Sequence, residues 1–99
     1  MTNTVFSALS HPLRRQVMTL LRKGPKTSGE LAEVFDASWP TVSRHLAVLK
    51  DADLITAERK GTSVIYRANT SVIEDAAAAL LAASGLSASP LATRSWASR

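Results

Sequence analysis

Four side chains that can donate hydrogen bonds lie close together near the middle of this chain: Thr41, Ser43, Arg44 and His45. A guanidinium can pair with guanine through two hydrogen bonds in the major groove of DNA, and hydroxyl and imidazole groups can reach phosphates or base edges. Arg44 is therefore our candidate for a base contact, with a phosphate contact or a solvated arginine as the alternatives. Ser43 and His45 diverge on a helix, so we expect no catalytic pair and no enzyme.

An amphipathic helix is predicted to position these side chains. Ser38 is a favourable N-cap, and Pro40 fits the first turn, where its missing N–H is harmless. The helix is expected to run to about Asp53, with Arg44 and Val48 on its outward side. Its core-facing stripe, spaced for a helix of 3.6 residues per turn, consists of Val42, Leu46, Leu49 and, near the end, Asp53, its only polar member.

Three aromatic side chains allow two interpretations each. Trp39 either packs on a sugar or a thymine methyl of DNA, or fills a gap between two helices. His45 is expected to donate to a phosphate or to local backbone rather than to bind a metal. His11, next to Pro12, is expected to cap a helix or to pack against one.

The distribution of charge favours a polyanionic partner. The net charge is +4, the pI is near 10.1, and the first carboxylate is Glu30, which follows five lysines and arginines. Such a bias is typical of nucleic-acid-binding proteins, although surface cations can also serve only to solubilise a helix. The absence of cysteine removes disulfides and thiolate metal sites, and no apolar run reaches membrane-spanning length. We expect a soluble, cytoplasmic protein with no membrane partner.

Three helices are predicted before the helix of Arg44. The first is short, the second covers about residues 12–23, and the third covers about 28–35 behind a capping box formed by Thr27 and Glu30. The third helix and the one after it, joined by a tight turn, form a helix-turn-helix pattern. The apolar side chains expected to pack on these three helices are Val5, Phe6 and Leu9, then Leu13, Val17, Leu20 and Leu21, then Leu31, Val34 and Phe35.

A basic β-hairpin is predicted next. Residues 54–60 and 62–68 favour strands, and Gly61 between them can supply the positive φ of a tight turn. A hairpin in this position is a wing, so the expected fold is mainly α with a small β-hairpin, a winged helix-turn-helix. The side chains at its tip are Arg59, Lys60 and Thr62, of which Arg59 and Lys60 are expected to meet phosphates.

A last helix is predicted over residues 72–83, capped within 69–71, with Glu74 and Asp75 in its first turn. The first and last helices are more apolar than a small core requires, so we expect them to form a homodimer interface. Residues 1–83 would form this single domain, and 84–99, which include Trp96, a largely disordered tail. The predicted interface consists of Val5, Phe6, Leu9, Val72, Ile73, Ala76, Ala77, Leu80 and Leu81.

In order and spacing, several segments resemble the ArsR/SmtB family of winged-helix transcriptional repressors. The match covers about residues 5–82 and rests on 6–15 (FSALSHPLRR), 29–32 (GELA), 38–49 (SWPTVSRHLAVL) and 61–66 (GTSVIY). The resemblance implies a homodimer whose recognition helices enter successive major grooves of double-stranded DNA, with the wings on flanking backbone or minor groove. The DNA-binding residues expected from the sequence and the resemblance together are Ser38, Trp39, Thr41, Ser43, Arg44, His45, Arg59, Lys60 and Thr62.

The metal-sensing motifs of the family transfer poorly to this chain. Where many sensors carry Cys-Val-Cys, this sequence has Thr27 and Gly29, which do not bind thiophilic metals. The chain is more similar to the cysteine-free, SdpR-like branch, and we expect no cofactor. The alternative is a weak hard-metal site between subunits that uses His11, His45, Glu74 or Asp75.

Three functions are compatible with these patterns. The first is a homodimeric repressor that binds an inverted repeat. The second is a repressor of the same fold that responds to a metal or a small ligand. The third is a winged-helix module whose outer face binds a protein partner.

Overall fold

Residues 2–85 are described by a computed structural model, in which they form five helices and a three-stranded antiparallel sheet. The helices are α1 (Thr2–Ala8), α2 (Pro12–Arg22), α3 (Ser28–Val34), α4 (Trp39–Asp51) and α5 (Thr70–Ala83). The strands are β1 (Lys26–Thr27), β2 (Ile55–Lys60) and β3 (Ser63–Ala68), in the order β1-β3-β2. The predicted architecture, mainly helical with a hairpin, is confirmed. Trp96 and nearly all of the predicted tail lie outside the described residues.

The core joins all five helices to the base of the hairpin. The apolar part of the predicted stripe of α4 is confirmed, because Val42, Leu46 and Leu49 are buried. Asp53, predicted at its end, is exposed and lies beyond the helix. Leu54 and Ile55, where the chain enters β2, are buried in the same cluster. Since a helix turns by about 100° per residue, these contacts determine which side chains of α4 face outward.

Local hydrogen bonds fix the starts of α2 and α3. Nδ1 of His11 accepts a hydrogen bond from the backbone N–H of Leu13 at 3.1 Å, so His11 caps α2. The capping box is confirmed: the N–H of Glu30 donates to Oγ1 of Thr27 at 3.1 Å, and the N–H of Thr27 donates to Oε1 of Glu30 at 2.8 Å. These two hydrogen bonds, the backbone one first, lower the pKa of Glu30.

Two helices end earlier than the sequence predicts. α3 ends at Val34, because Phe35 already has an extended conformation. Val34, predicted to be buried, is 58% exposed. α4 ends at Asp51 rather than near Asp53. Asp53 has a φ of 60°, in the left-handed region, so a right-handed helix cannot continue through it.

The hairpin is confirmed, with Gly61 and Thr62 as a two-residue turn and a φ of 61° at Gly61. β1 was not predicted from the sequence. It pairs antiparallel with residues 65–66 of β3 and so ties the segment before α3 to the wing.

The start of α5 corrects one electrostatic prediction. The helix begins at Thr70, with Asn69 at the N-cap position, so Glu74 and Asp75 lie beyond its first turn. The expected stabilisation of these two acids by the helix dipole is therefore wrong, since the effect falls off within the first turn. No helix within residues 2–85 is long and apolar enough to cross a membrane.

A matched pair of substitutions tests this core. Val42→Ala removes fully buried methyl groups, and we expect it to lower the free energy of unfolding by about 2 kcal/mol. Val34→Ala makes the same change at an exposed position and should alter the free energy of unfolding by less than about 0.5 kcal/mol. Urea unfolding at one fixed protein concentration, followed by circular dichroism, measures both. Equal effects would contradict the rotation of α4 described above.

Candidate nucleic-acid interface

The exposed side of α4 carries the cation predicted to contact bases. Arg44 is exposed and lies on the side of the helix opposite Val42 and Leu46, which are buried. Thr41 and Ser43 are half-buried at the two margins of this face. The result is a guanidinium flanked by hydroxyl groups, an arrangement that suits hydrogen bonds to base edges and phosphates.

The first turn of α4 differs in detail from the prediction. Ser38 occupies the N-cap position, but its hydroxyl makes no capping hydrogen bond. Instead, its Oγ lies 3.0 Å from Oγ1 of Thr41. Trp39 is 39% exposed, which leaves part of its ring free for a DNA contact. Val48, predicted to face outward, packs against the edge of the core.

His45 lies on the flank of α4 and contacts the residue that caps α2. Its ring centroid is 4.3 Å from that of His11, and the ring planes are inclined by 44°. Nδ1 of His45 is buried without a hydrogen-bond partner in the described part of the chain. Removal of the ring from water, and then the charges of His11, Arg14 and Arg44, lower the pKa of His45 below the ordinary value of 6.5. The free protein therefore favours the neutral imidazole.

Two arginines at the start of α2 hold the end of α1. Nη1 of Arg15 donates to the carbonyl oxygen of Leu9 at 2.8 Å, and Nη2 of Arg14 donates to that of Ser7 at 3.5 Å. Carbonyl oxygens at a helix C-terminus lack intrahelical partners and carry partial negative charge, so cations are favourable there. This structural use of Arg14 and Arg15 was not predicted, and no local period in the sequence signals it.

The tip of the hairpin presents its cations to solvent. Arg59, Lys60 and Thr62 are exposed, as a wing requires. The one ion pair found within residues 2–85 lies further down the hairpin, where Nη2 of Arg67 is 3.7 Å from Oε1 of Glu58. The two cations at the tip take no part in it.

The predicted dimer residues form an apolar area on α1 and α5, which we call the α1–α5 surface. Phe6, Leu80 and Leu81 are 37%, 57% and 39% exposed in the single chain. Val5 and Ala76 are already buried within the chain's own core. The remaining members are partly buried or exposed: Leu9, Val72, Ile73 and Ala77.

The alternative metal ligands are not brought together within one chain. No group of three or more His, Cys, Asp or Glu side chains in residues 2–85 is arranged to hold a metal ion. His11 and His45 are neighbours, whereas Asp75 lines a cleft of about 260 Å³ between α1, the end of α4 and α5. A site shared between two copies of the chain stays a prediction.

Comparison with known proteins gives this arrangement its family. The family described as "Bacterial regulatory protein, arsR family" matches residues 11–57. The transcriptional repressor SdpR of Bacillus subtilis is 45% identical over 73 residues, which cover 74% of this chain and 81% of that protein. The chain belongs to the ArsR family. The predicted resemblance, including the similarity to SdpR, is thereby confirmed.

Further ArsR relatives agree in fold and in class. The transcriptional repressor SmtB of Mycobacterium tuberculosis is 38% identical over 60 residues, which cover 61% of this chain and 44% of that protein. The crystal structure of an ArsR family transcriptional regulator is 31% identical, with a TM-score of 0.75, over 98% of this chain and 91% of that one. The chain is thus a winged helix-turn-helix transcriptional regulator, and its relatives are not enzymes.

The histidine pair gives a testable titration. We expect His45 to titrate below 6.5, and Arg14→Gln to raise its pKa towards 6.5, because one repelling positive charge is removed. Since the unfolded chain binds this proton at about pH 6.5, the free energy of unfolding should decrease as the pH falls through that value. NMR titration of the histidine ring protons measures the pKa.

Arg22→Gln is the matched control, because Arg22 lies at the other end of α2. It should leave the pKa of His45 unchanged. A pKa of His45 above 6.5 in the unmodified protein would contradict this account.

Proposed function

We propose that this protein is a homodimeric, sequence-specific repressor that binds an inverted repeat in double-stranded DNA. The observation that carries the proposal is the rotation of α4, which buries Val42, Leu46 and Leu49 and turns Arg44 to solvent. The names of SdpR and SmtB as transcriptional repressors support the direction of regulation.

The dimensions and chemistry of α4 suit a recognition helix. Its 13 residues span about 20 Å at a rise of 1.5 Å per residue, and a major groove about 12 Å wide admits one helix. Ala47, one turn after Arg44, is exposed and small, so the helix can approach base edges closely. Thr41 and Ser43 would then donate to phosphates or bases at the margins of the groove.

The exposed wing supplies affinity that does not depend on sequence. Arg59 and Lys60 are free to approach phosphates, because the ion pair of the hairpin uses Glu58 with Arg67 instead. Each phosphate contact releases condensed counterions, which makes binding strongly dependent on salt.

The α1–α5 surface supports the proposal of a homodimer. A chain of 99 residues buries a modest core, and exposed Phe6, Leu80 and Leu81 lie on its two terminal helices. A two-fold axis through this surface would pair each helix with its own copy. The two α4 helices would then bind half-sites about one helical turn of DNA, roughly 34–36 Å, apart.

Arg44→Ala tests the base contact. We expect it to weaken binding to the operator by about 1–3 kcal/mol, and to weaken binding to random duplex much less, because alanine cannot form the bidentate hydrogen bonds to guanine. Fluorescence anisotropy with the DNA upstream of the protein's own gene, against random duplex at 150–200 mM salt, about physiological ionic strength, measures both. Arg22→Ala removes the same charge from the end of α2 and serves as the control. No preference of the unmodified protein for its upstream DNA would contradict the proposal.

Lys60→Ala tests the wing. The plot of log affinity against log salt should become shallower by about 0.9 for each phosphate that the protein no longer neutralises, hence by about 2 for a dimer. Lys23→Ala, at an exposed position after α2, should leave the slope unchanged. An unchanged slope for Lys60→Ala would show that the wing does not reach the backbone.

The cleft between α1, the end of α4 and α5 favours a second candidate, a repressor of the same fold that responds to a ligand. Its lining includes Val5 and Val72 from the helices of the α1–α5 surface and Asp51 from the end of the recognition helix. A ligand in this cleft would therefore contact both the helices of the α1–α5 surface and the end of α4. Tight calorimetric binding of Zn²⁺ or Ni²⁺ that also lowers DNA affinity would support the metal-responsive version.

A further inference from the structure

Two imidazoles meet at the junction of α2 and α4. His11 caps α2 and His45 belongs to α4, and their ring centroids are 4.3 Å apart. They are the only histidines of the chain. If the affinity for DNA changes with pH near neutrality, the proton must therefore bind to this pair or to the terminal amine.

The charged groups around His45 are all cationic. On α2 the group is Arg14 and on α4 it is Arg44, and the ring of His11 adds a like charge only when it is protonated. Nη2 of Arg14 makes one long hydrogen bond, 3.5 Å, to the end of α1. The only ion pair in the described part of the chain lies on the hairpin, so none of these groups is paired with a carboxylate there.

Two buried nitrogen atoms of this cluster are unpaired in the described part of the chain. Nδ1 of His45 and Nε of Arg14 are buried without a hydrogen-bond partner within residues 2–85. Nδ1 of His11 accepts from the N–H of Leu13, so the proton of its neutral ring lies on Nε2, which can donate. His11 is exposed to solvent at the edge of this cluster, whereas Arg14 and His45 are half-buried.

We propose that His45, His11 and Arg14 together bind one phosphate of the DNA backbone, and that the histidine pair takes up a proton when DNA binds. The inference rests on the proposed DNA-binding function. His45 is adjacent in sequence to Arg44, so when Arg44 enters the major groove, the flank of α4 that carries His45 faces one of the bordering strands.

The phosphate reverses the electrostatic balance at the imidazole. In the free protein, partial burial and the neighbouring cations disfavour the imidazolium form. A phosphodiester supplies a negative charge and acceptor oxygens, so the protonated ring becomes the better partner. Affinity for DNA then rises as the pH falls, by up to about tenfold per pH unit for each proton taken up.

Fluorescence anisotropy with the operator duplex between pH 5.5 and 8, at constant ionic strength, tests this linkage. The dissociation constant of the unmodified protein should decrease as the pH falls, and His45→Gln or His11→Gln should flatten the dependence. Lys23→Gln removes an exposed cation outside the cluster, and the pH dependence of the dissociation constant should remain. Affinity that is independent of pH, or that falls with the pH, overturns the inference and leaves DNA binding itself intact. Absence of DNA binding at every pH overturns the proposed function instead.

Two measurements do not depend on the folding of a variant. Calorimetry of the unmodified protein, in buffers of different ionisation enthalpy, should show net proton uptake on binding, and zero uptake or proton release overturns the inference. Uncharged methylphosphonate linkages, introduced one at a time into the operator, should remove the pH dependence at one position in each half-site. If no single position does so, the assignment to one phosphate is wrong.

Discussion

The burial of Val42, Leu46 and Leu49 fixes how α4 is rotated about its axis, and every proposed DNA contact depends on that rotation. Each fully buried aliphatic side chain contributes about 1.5–3 kcal/mol, so a helix rotated by one residue would lose much of its packing. The same rotation turns Arg44 to solvent and places His45 against the cap of α2. The proposed recognition of DNA and the formation of the core therefore depend on the same helix.

Some cations of the described chain stabilise its fold, and one of them, Arg14, is also part of the proposed phosphate site. Arg14 and Arg15 donate to carbonyl oxygens at the end of α1 and so join the terminal helix to the helix-turn-helix. Arg44 and the cations of the wing tip make no ion pair in the described chain, where the one such pair is exposed and worth at most about 1 kcal/mol. Little of the positive charge is neutralised internally, which leaves it for a polyanion.

Patterns confined to neighbouring residues were sufficient to predict much of this molecule. The stripe of α4, the capping box of Thr27 and the turn at Gly61 depend only on local spacing and backbone preference, and each is present. β1 was not predicted, because a strand of two residues is too short to show an alternation of apolar and polar side chains. Its pairing also depends on β3, which is distant in the sequence. The contact between His11 and His45 depends in the same way on the packing of α2 against α4. The sequence indicated each histidine as a candidate for capping or binding, whereas only the tertiary structure shows that the two rings are in contact.

The central claim is that two copies of α4 read the major grooves of two half-sites. Methylation interference at guanine N7 tests it most directly, because N7 is exposed in the major groove. The account predicts two clusters of interfering guanines, related by two-fold symmetry and centred about one helical turn, roughly 10 base pairs, apart on one face of the duplex. A single cluster, or binding that is insensitive to methylation in the major groove, would contradict it.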